Sequence, residues 1–277
     1  MDSYVLSFED FLIDNEKSTN TVESYESDIK QFLSFIDKEN VLETNKKDVQ
    51  DFKDYLYKNG ISVKTINRKL VAISQFIKFL NSKYNARIDF TIKREKQQKQ
   101  EYLNDMLTKE DFQNMVTAAK KKNDMRAVTI FYTLYYTGMR VSEMLQLKIN
   151  DIKKDVVLIR GKGNKYREVL IPLKLKAIWN KYSKVRYENT DYLFSGQRGP
   201  INRQTVHNII KYYAKLAGIK AEKAHAHNFR HLYCLNLIDH GVGIDTIADL
   251  AGHSNIDTTR IYTRRTKNDL FQTINQL

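Results

Sequence analysis

VVLIRGKGNKYREVLI, residues 156–171, is the clearest strand signal in a chain of 277 residues. Two runs rich in β-branched and apolar side chains flank Gly161-Lys162-Gly163-Asn164, which reads as the glycine-rich tip of a β-hairpin. Elsewhere only two prolines and ten glycines interrupt a chain abundant in Lys, Glu, Leu and Ile, a composition that favours helix. The expected fold is mainly α with a small β-hairpin or sheet, an α+β architecture. Gly161-Lys162-Gly163 is not a phosphate-binding Walker loop, because no Gly-x-x-x-x-Gly-Lys-Ser/Thr precedes a helix. Binding of a nucleoside triphosphate is therefore disfavoured.

Working outward towards the N-terminus, helical spacing predicts four helices. The first spans residues 4–13. The second begins after the capping oxygens of Ser18-Thr19-Asn20-Thr21 and carries Val22, Tyr25, Ile29, Phe32, Leu33 and Ile36 on one side. A third runs from Asp48 to Tyr57, ended by Asn59-Gly60, and a fourth from Val63 to Asn81. These predict a small helical domain over residues 1–88. Lys64, Asn67, Arg68 and Lys69 lie near the start of the fourth helix, a basic face suited to a DNA backbone or to plain solvation. A Lys- and Gln-rich segment, IKREKQQKQEY at residues 92–102, marks a linker over residues 89–104.

A second domain is expected over residues 105–277, opening at the capped helix start Leu107-Thr108-Lys109-Glu110-Asp111. Met125 to Tyr136 forms an apolar core helix that Gly138 interrupts. Arg140 falls at that break, with Glu143 three residues on and able to hold its guanidinium. Beyond the hairpin, Asn202 precedes an amphipathic helix on which Arg203, His207 and Lys211 share a face suited to a DNA groove.

The formal net charge of +13 points to a polyanionic partner. Residues 1–90 hold 13 Lys and Arg against 15 Asp and Glu, leaving 33 against 18 in residues 91–277. Phosphate contact is therefore expected of the C-terminal part. Cys234 is the only cysteine, so no internal disulfide forms and a reducing, cytoplasmic setting is expected. The N-terminal MDSYVLSFEDF lacks the basic and apolar regions of a signal peptide, and no membrane association is expected.

The densest chemistry lies at residues 224–262, AHAHNFRHLYCLNLIDHGVGIDTIADLAGHSNIDTTRIY, which holds five of the six histidines. A metal site is one reading of His225, His227, His231 and Cys234, but Arg230 stands among them and no Cys-x-x-Cys completes the set. A second reading makes His225, His231, His240 and Cys234 packing residues. A third is chemistry on a phosphate, with guanidiniums as clamps and a side chain of the segment as a possible nucleophile.

Five segments bear on that third reading: Thr137-Gly138-Met139-Arg140-Val141-Ser142-Glu143, Gly161-Lys162-Gly163-Asn164-Lys165, His227-Asn228-Phe229-Arg230-His231, Leu250-Ala251-Gly252-His253-Ser254 and Thr258-Thr259-Arg260-Ile261-Tyr262-Thr263. Their order and spacing resemble the tyrosine recombinases, or phage integrase family, and in particular the two-domain Xer-like members. The resemblance covers nearly the whole chain. It departs from the family pattern at Phe229, Ala251 and Arg264, none of which replaces a catalytic group. It implies that Arg140 and Arg230 hold the scissile phosphate, Lys162 is the hairpin lysine, His227 and His253 assist, and Tyr262 is the nucleophile. It also implies a helical core-binding domain followed by a catalytic domain. No cofactor or metal is required, because a covalent 3′-phosphotyrosine conserves the bond energy. The implied partner is double-stranded DNA with an inverted-repeat core site, bound by a synaptic tetramer of identical protomers or with a related recombinase. The expected role is resolution of DNA dimers or transposon cointegrates. Integration or excision of a mobile element, a type IB topoisomerase-like activity and non-catalytic DNA binding are the alternatives.

Overall fold

The N-terminal helices begin where the sequence supplies a capping oxygen. In the computed structural model, which describes residues 2–95, 106–161 and 166–252 and Asn275, α1 spans Asp2–Asp14, α2 Thr19–Ile36, α3 Lys46–Lys58 and α4 Val63–Tyr84. The start of α3 lies two residues before the expected Asp48. Asn45 caps it by accepting from the Lys47 and Asp48 amides at 2.9 and 3.2 Å, and the Asp48 carboxylate accepts from the Asn45 amide at 2.7 Å. This reciprocal capping box uses Asp48 as its third helical residue instead of its first. Three residues are also added to α4 beyond Asn81, which ends at Asn85 with φ 53°, a left-handed cap that asparagine tolerates. Phe8, Phe32, Phe52, Ile73 and Phe76 are fully or almost fully buried between the four helices, and the Phe8 and Phe76 rings meet edge to face at 5.1 Å.

The chain divides into two compact units, residues 1–100 and 101–277. Residues 89–95, read from sequence as the start of a linker, lie against the helical unit. Ile88 is buried in its core, with Phe90 and Ile92 packed beside it. The Asn67 side chain closes the segment by donating to the Glu95 carbonyl at 3.0 Å and accepting from the Glu95 amide at 2.8 Å. Lys53 adds an ion pair to Glu95 at 2.9 Å. The Lys- and Gln-rich composition suggested an extended linker, whereas the period-two alternation of Ile88, Phe90 and Ile92 lays residues 88–92 on the core.

In the second unit, α5 (Lys109–Lys121), α6 (Met125–Thr137) and the short α7 (Val141–Met144) lead into β1 (Val156–Arg160) and β2 (Tyr166–Leu170). There follow α8 (Leu173–Ser183), the two-residue strands β3 (Ser195–Gly196) and β4 (Gly199–Pro200), α9 (Arg203–Leu216), α10 (Ala226–Asp239) and α11 (Ile244–Ala251). Helix α6 is the buried spine. Its Thr129, Thr133 and Thr137 hydroxyls each donate to the carbonyl four residues back, so three polar groups enter the core already satisfied. Trp179 of α8, fully buried, donates its indole N–H to Thr133 at 2.8 Å.

The hairpin forms as expected, antiparallel, with Val156 opposite Leu170 and Arg160 opposite Tyr166. Val157, Ile159 and Val169 face the core. Its tip, with Lys162, lies outside the described residues. The described structure is thus mainly helical with small antiparallel strand pairs. Among the described residues no helix is long and apolar enough to cross a membrane.

Helix α6 ends at Gly138, whose φ is 56°, and a Cβ there would lie 2.4 Å from a ring carbon of Tyr233. Both the backbone conformation and the contact exclude a side chain. Gly138→Ala is expected to destabilise the protein by about 3 kcal/mol, read as a lower urea midpoint in equilibrium unfolding. An unchanged midpoint would contradict this packing.

Candidate active site

The turn after Gly138 places Arg140 at the head of α7. Its backbone N–H donates to Glu143 Oε2 at 2.9 Å and its guanidinium Nη1 to Glu143 Oε1 at 2.6 Å. The sequence-based pairing of Arg140 with Glu143 is therefore present. Glu143 is only 1% exposed, and a carboxylate so buried needs more than one cation. The second is Arg167 of β2, whose Nη2 reaches Glu143 Oε2 at 2.8 Å. Burial alone would raise the Glu143 carboxyl, but the hydrogen bond and charge of Arg167, with both Arg140 donors, bring it below the usual carboxylate range.

Both arginines also grip the end of α11. Arg167 Nη1 donates to the Leu250 carbonyl at 2.8 Å and Arg140 Nη2 to the Gly252 carbonyl at 3.3 Å. Those carbonyls sit at the negative end of the helix, which favours cations. Gly252 has φ 67°, and a Cβ there would fall 2.5 Å from Arg167 Cδ. His253 is the next residue in sequence.

Arg230, on α10, is 1% exposed and donates from Nη1 to the Gly138 carbonyl at 2.9 Å. The glycine turn thus positions both arginines, Arg140 through the chain and Arg230 through a hydrogen bond. Burial, then the nearby positive charge of Arg140, pulls the Arg230 guanidinium down to about 10, so it stays protonated at neutral pH. Arg140 keeps a side-chain exposure of 35%, leaving it open to an anion. Arg140, open on one side, and the buried Arg230 thus stand near one another at the Gly138 turn, an arrangement of planar cations suited to an anion.

His227 is exposed on the first turn of α10, its ring 4.4 Å from that of His231 one turn on. The structure therefore brings Arg140, Arg230 and Glu143 together and places His227 three residues before Arg230 on the same helix. Lys162, His253 and Tyr262 lie outside the described residues. Cys234 is buried with Met106, Ile247 and Ala251, which suits the packing reading of that thiol. Arg203 and His207 are exposed on α9 and line a cavity of about 340 Å³ with Val141 and Ala226, the neighbours of Arg140 and His227.

The four polar residues of α4 divide. Lys64 is exposed, whereas Lys69 is buried against Asp28 at 2.7 Å and Gln31 at 2.6 Å. Arg68 pairs with the same Asp28 and with Ser24, and Asn67 holds Glu95 as described. The basic face is thus partly spent on a buried carboxylate of α2 that the helical pattern alone did not reveal.

Arg167 was not singled out from sequence. The signal was present: strand alternation puts residue 167 opposite Ile159, on the core-facing side, and an arginine on that side needs a buried partner.

Glu143→Gln is expected to cost about 3 kcal/mol near neutral pH, because two cations lose their shared charge. The Glu143 contribution, with its folded pKa depressed, is complete above the unfolded carboxyl pKa and disappears as pH falls through the folded value. Chemical unfolding at a series of pH values should therefore show wild type and variant converging in acid. A gap independent of pH would refute the charge assignment.

The phage integrase family pattern matches residues 105–269, and the N-terminal SAM-like domain of phage integrases matches residues 5–84. A tyrosine recombinase of Thermosipho africanus is 30% identical over the full length of both chains. Tyrosine recombinase XerD of Staphylococcus haemolyticus is 30% identical over 95% of this chain and 94% of its own. Among solved structures, a lambda integrase dimer bound to a COC′ core site aligns with a TM-score of 0.76 at 14% identity, covering 95% of this chain and 94% of that one. XerH recombinase bound to a palindromic difH substrate, a post-cleavage complex, aligns with a TM-score of 0.75 at 22% identity, covering 91% and 78%. These two structures share the fold.

Proposed function

The chain belongs to the phage integrase family, the tyrosine recombinases, and on that premise we propose that it cuts and rejoins double-stranded DNA at a specific core site through a 3′-phosphotyrosine. The observation that carries this reading is the convergence of Arg140 and Arg230 on the Gly138 turn. Planar, permanently charged donors suit a phosphodiester whose transition state spreads negative charge over its oxygens.

The Tyr262 phenolic oxygen attacks phosphorus and the bond to the 5′-oxygen breaks. The phenolic proton passes to His227, and Lys162 supplies a proton to the departing 5′-oxygen, which leaves as the 5′-hydroxyl. His253 donates a hydrogen bond to the phosphate. Attack by the 5′-hydroxyl of another strand on the phosphotyrosine restores the diester and frees Tyr262, so no net hydrolysis occurs. Neither a cofactor nor a metal enters this sequence of steps. Contacts to DNA are assigned to Lys64 and Arg68 on the helical unit, with Asn67 and Lys69 shaping that face from beneath, and to Arg203 and His207 beside the arginine pair.

The protein acts in the cytoplasm on inverted half-sites, as a tetramer of identical or related protomers joining two sites. Its role is resolution of DNA dimers or transposon cointegrates, a reading in keeping with the Xer names of its relatives.

The test begins with duplexes that the protein selects from a randomised pool, then uses a nicked version of the selected site to trap the cleaved state. Arg140→Gln should slow single-turnover formation of the protein–DNA adduct by about 10²–10³-fold while the selected duplex still binds. Cleavage by Arg140→Gln at the wild-type rate would remove the arginine from the reaction. Binding should also weaken steeply as salt rises, the logarithm of the affinity falling linearly with that of salt concentration. A salt-independent affinity would contradict the proposed phosphate contacts.

A further inference from the structure

We propose that Arg167 is a positioning residue for the cleavage reaction, setting Arg140 and the end of α11 relative to one another; the inference rests on the recombinase reading above. Arg167 stands on β2 with a side-chain exposure of 12% and makes two charge-assisted contacts in different directions. One fork reaches Glu143 Oε2 at 2.8 Å, and Glu143 in turn holds Arg140 by its backbone N–H and by Nη1. The other reaches the Leu250 carbonyl at 2.8 Å, two residues before the Gly252 carbonyl that Arg140 itself contacts. A closed circuit results: Arg167 to Glu143, Glu143 to Arg140, Arg140 to the end of α11, and α11 back to Arg167.

Three chain segments meet in that circuit. They are the α6–α7 turn, the second hairpin strand and the last turn of α11. Each adjoins, in sequence, a residue of the proposed reaction: Arg140 in the first, Lys162 on the hairpin loop before the second, His253 directly after the third. A lysine cannot replace this arginine, because a single ammonium does not present two fixed, divergent donors to an acceptor on either side. The fit from the α11 side is equally restrictive, since a Cβ on Gly252 would lie 2.5 Å from Arg167 Cδ and 2.9 Å from Nε. Arg167 is 12% exposed, and both ends of its guanidinium are engaged by protein acceptors. It acts through Glu143 and α11, so its removal displaces reacting groups and leaves the chemistry itself intact.

The experiment uses the full chain, the nicked selected duplex and active-site titration, so that the single-turnover rate constant refers only to folded, competent protein. Arg167→Lys should lower that rate constant by about 100-fold, the scale expected when reacting groups are misplaced by about 1 Å, with duplex affinity held within about threefold. Arg167→Gln combined with Glu143→Gln should lose no more than the worse single variant, because both act through one contact. A merely structural role would reduce the competent fraction and leave its rate constant at the wild-type value, which overturns the proposal, as would multiplicative losses in the double variant. Should Arg167→Lys fail to fold, Gly252→Ala displaces the same guanidinium from the opposite side and must give the same loss of rate; a wild-type rate there also overturns it. A wild type that forms no adduct sinks the recombinase reading itself, whereas a wild type that cleaves alongside an equally fast Arg167→Lys sinks this inference alone.

Discussion

A single carboxylate, that of Glu143, holds the candidate active site together. Buried to 1% exposure and shared by Arg140 and Arg167, it is costly to desolvate and gives little net stability over an apolar group of the same shape. Its value is geometric. Arg140 would otherwise be a long, mobile side chain at the head of a four-residue helix, and a clamp for a developing phosphate charge works only if its donors are fixed before the charge appears.

That requirement propagates through the second unit. Gly138 must be a glycine because the turn needs a positive φ and because Tyr233 fills the space a Cβ would take. The same residue's carbonyl anchors Arg230. Helix α6, which delivers this turn, is held rigid by buried threonine hydroxyls and by Trp179. The hairpin, whose strands occupy only ten residues, contributes both core cover and the second cation on Glu143. Stability and function are thus coupled at one junction, with the packed core supplying the rigidity that the arginines use.

Much of this was legible in the sequence. Helical periodicity located the helices of the N-terminal unit, the β-branched runs around Gly161 located the hairpin, and Gly138 marked the break that presents Arg140. Arg140 and Glu143, three residues apart, could be paired by local helix geometry. Contacts between distant segments were not legible in this way. Arg167 is 24 residues from Glu143 and 83 from Leu250, so no local period links them, although a cation on the core side of a strand was a signal that it needed a partner. Asp28 of α2 likewise pairs with Arg68 and Lys69, 40 and 41 residues away, beyond the reach of any local period. Charge density misled at residues 89–95, where Phe90 and Ile92 decide the packing.

The chemistry assigned to the site turns on one oxygen among the phenols of 17 tyrosines. In the proposed reaction Arg140 and Arg230 hold and polarise the phosphodiester, but it is a recombinase reaction only if the phosphate is handed to the protein. Mass spectrometry of the protease-digested adduct, formed on a nicked duplex, measures this directly. The account predicts a single nucleotide-bearing peptide, with the phosphate esterified to Tyr262 and joined to the 3′ side of the break. A modified peptide carrying a different tyrosine, or cleaved DNA with no covalent peptide, would contradict it.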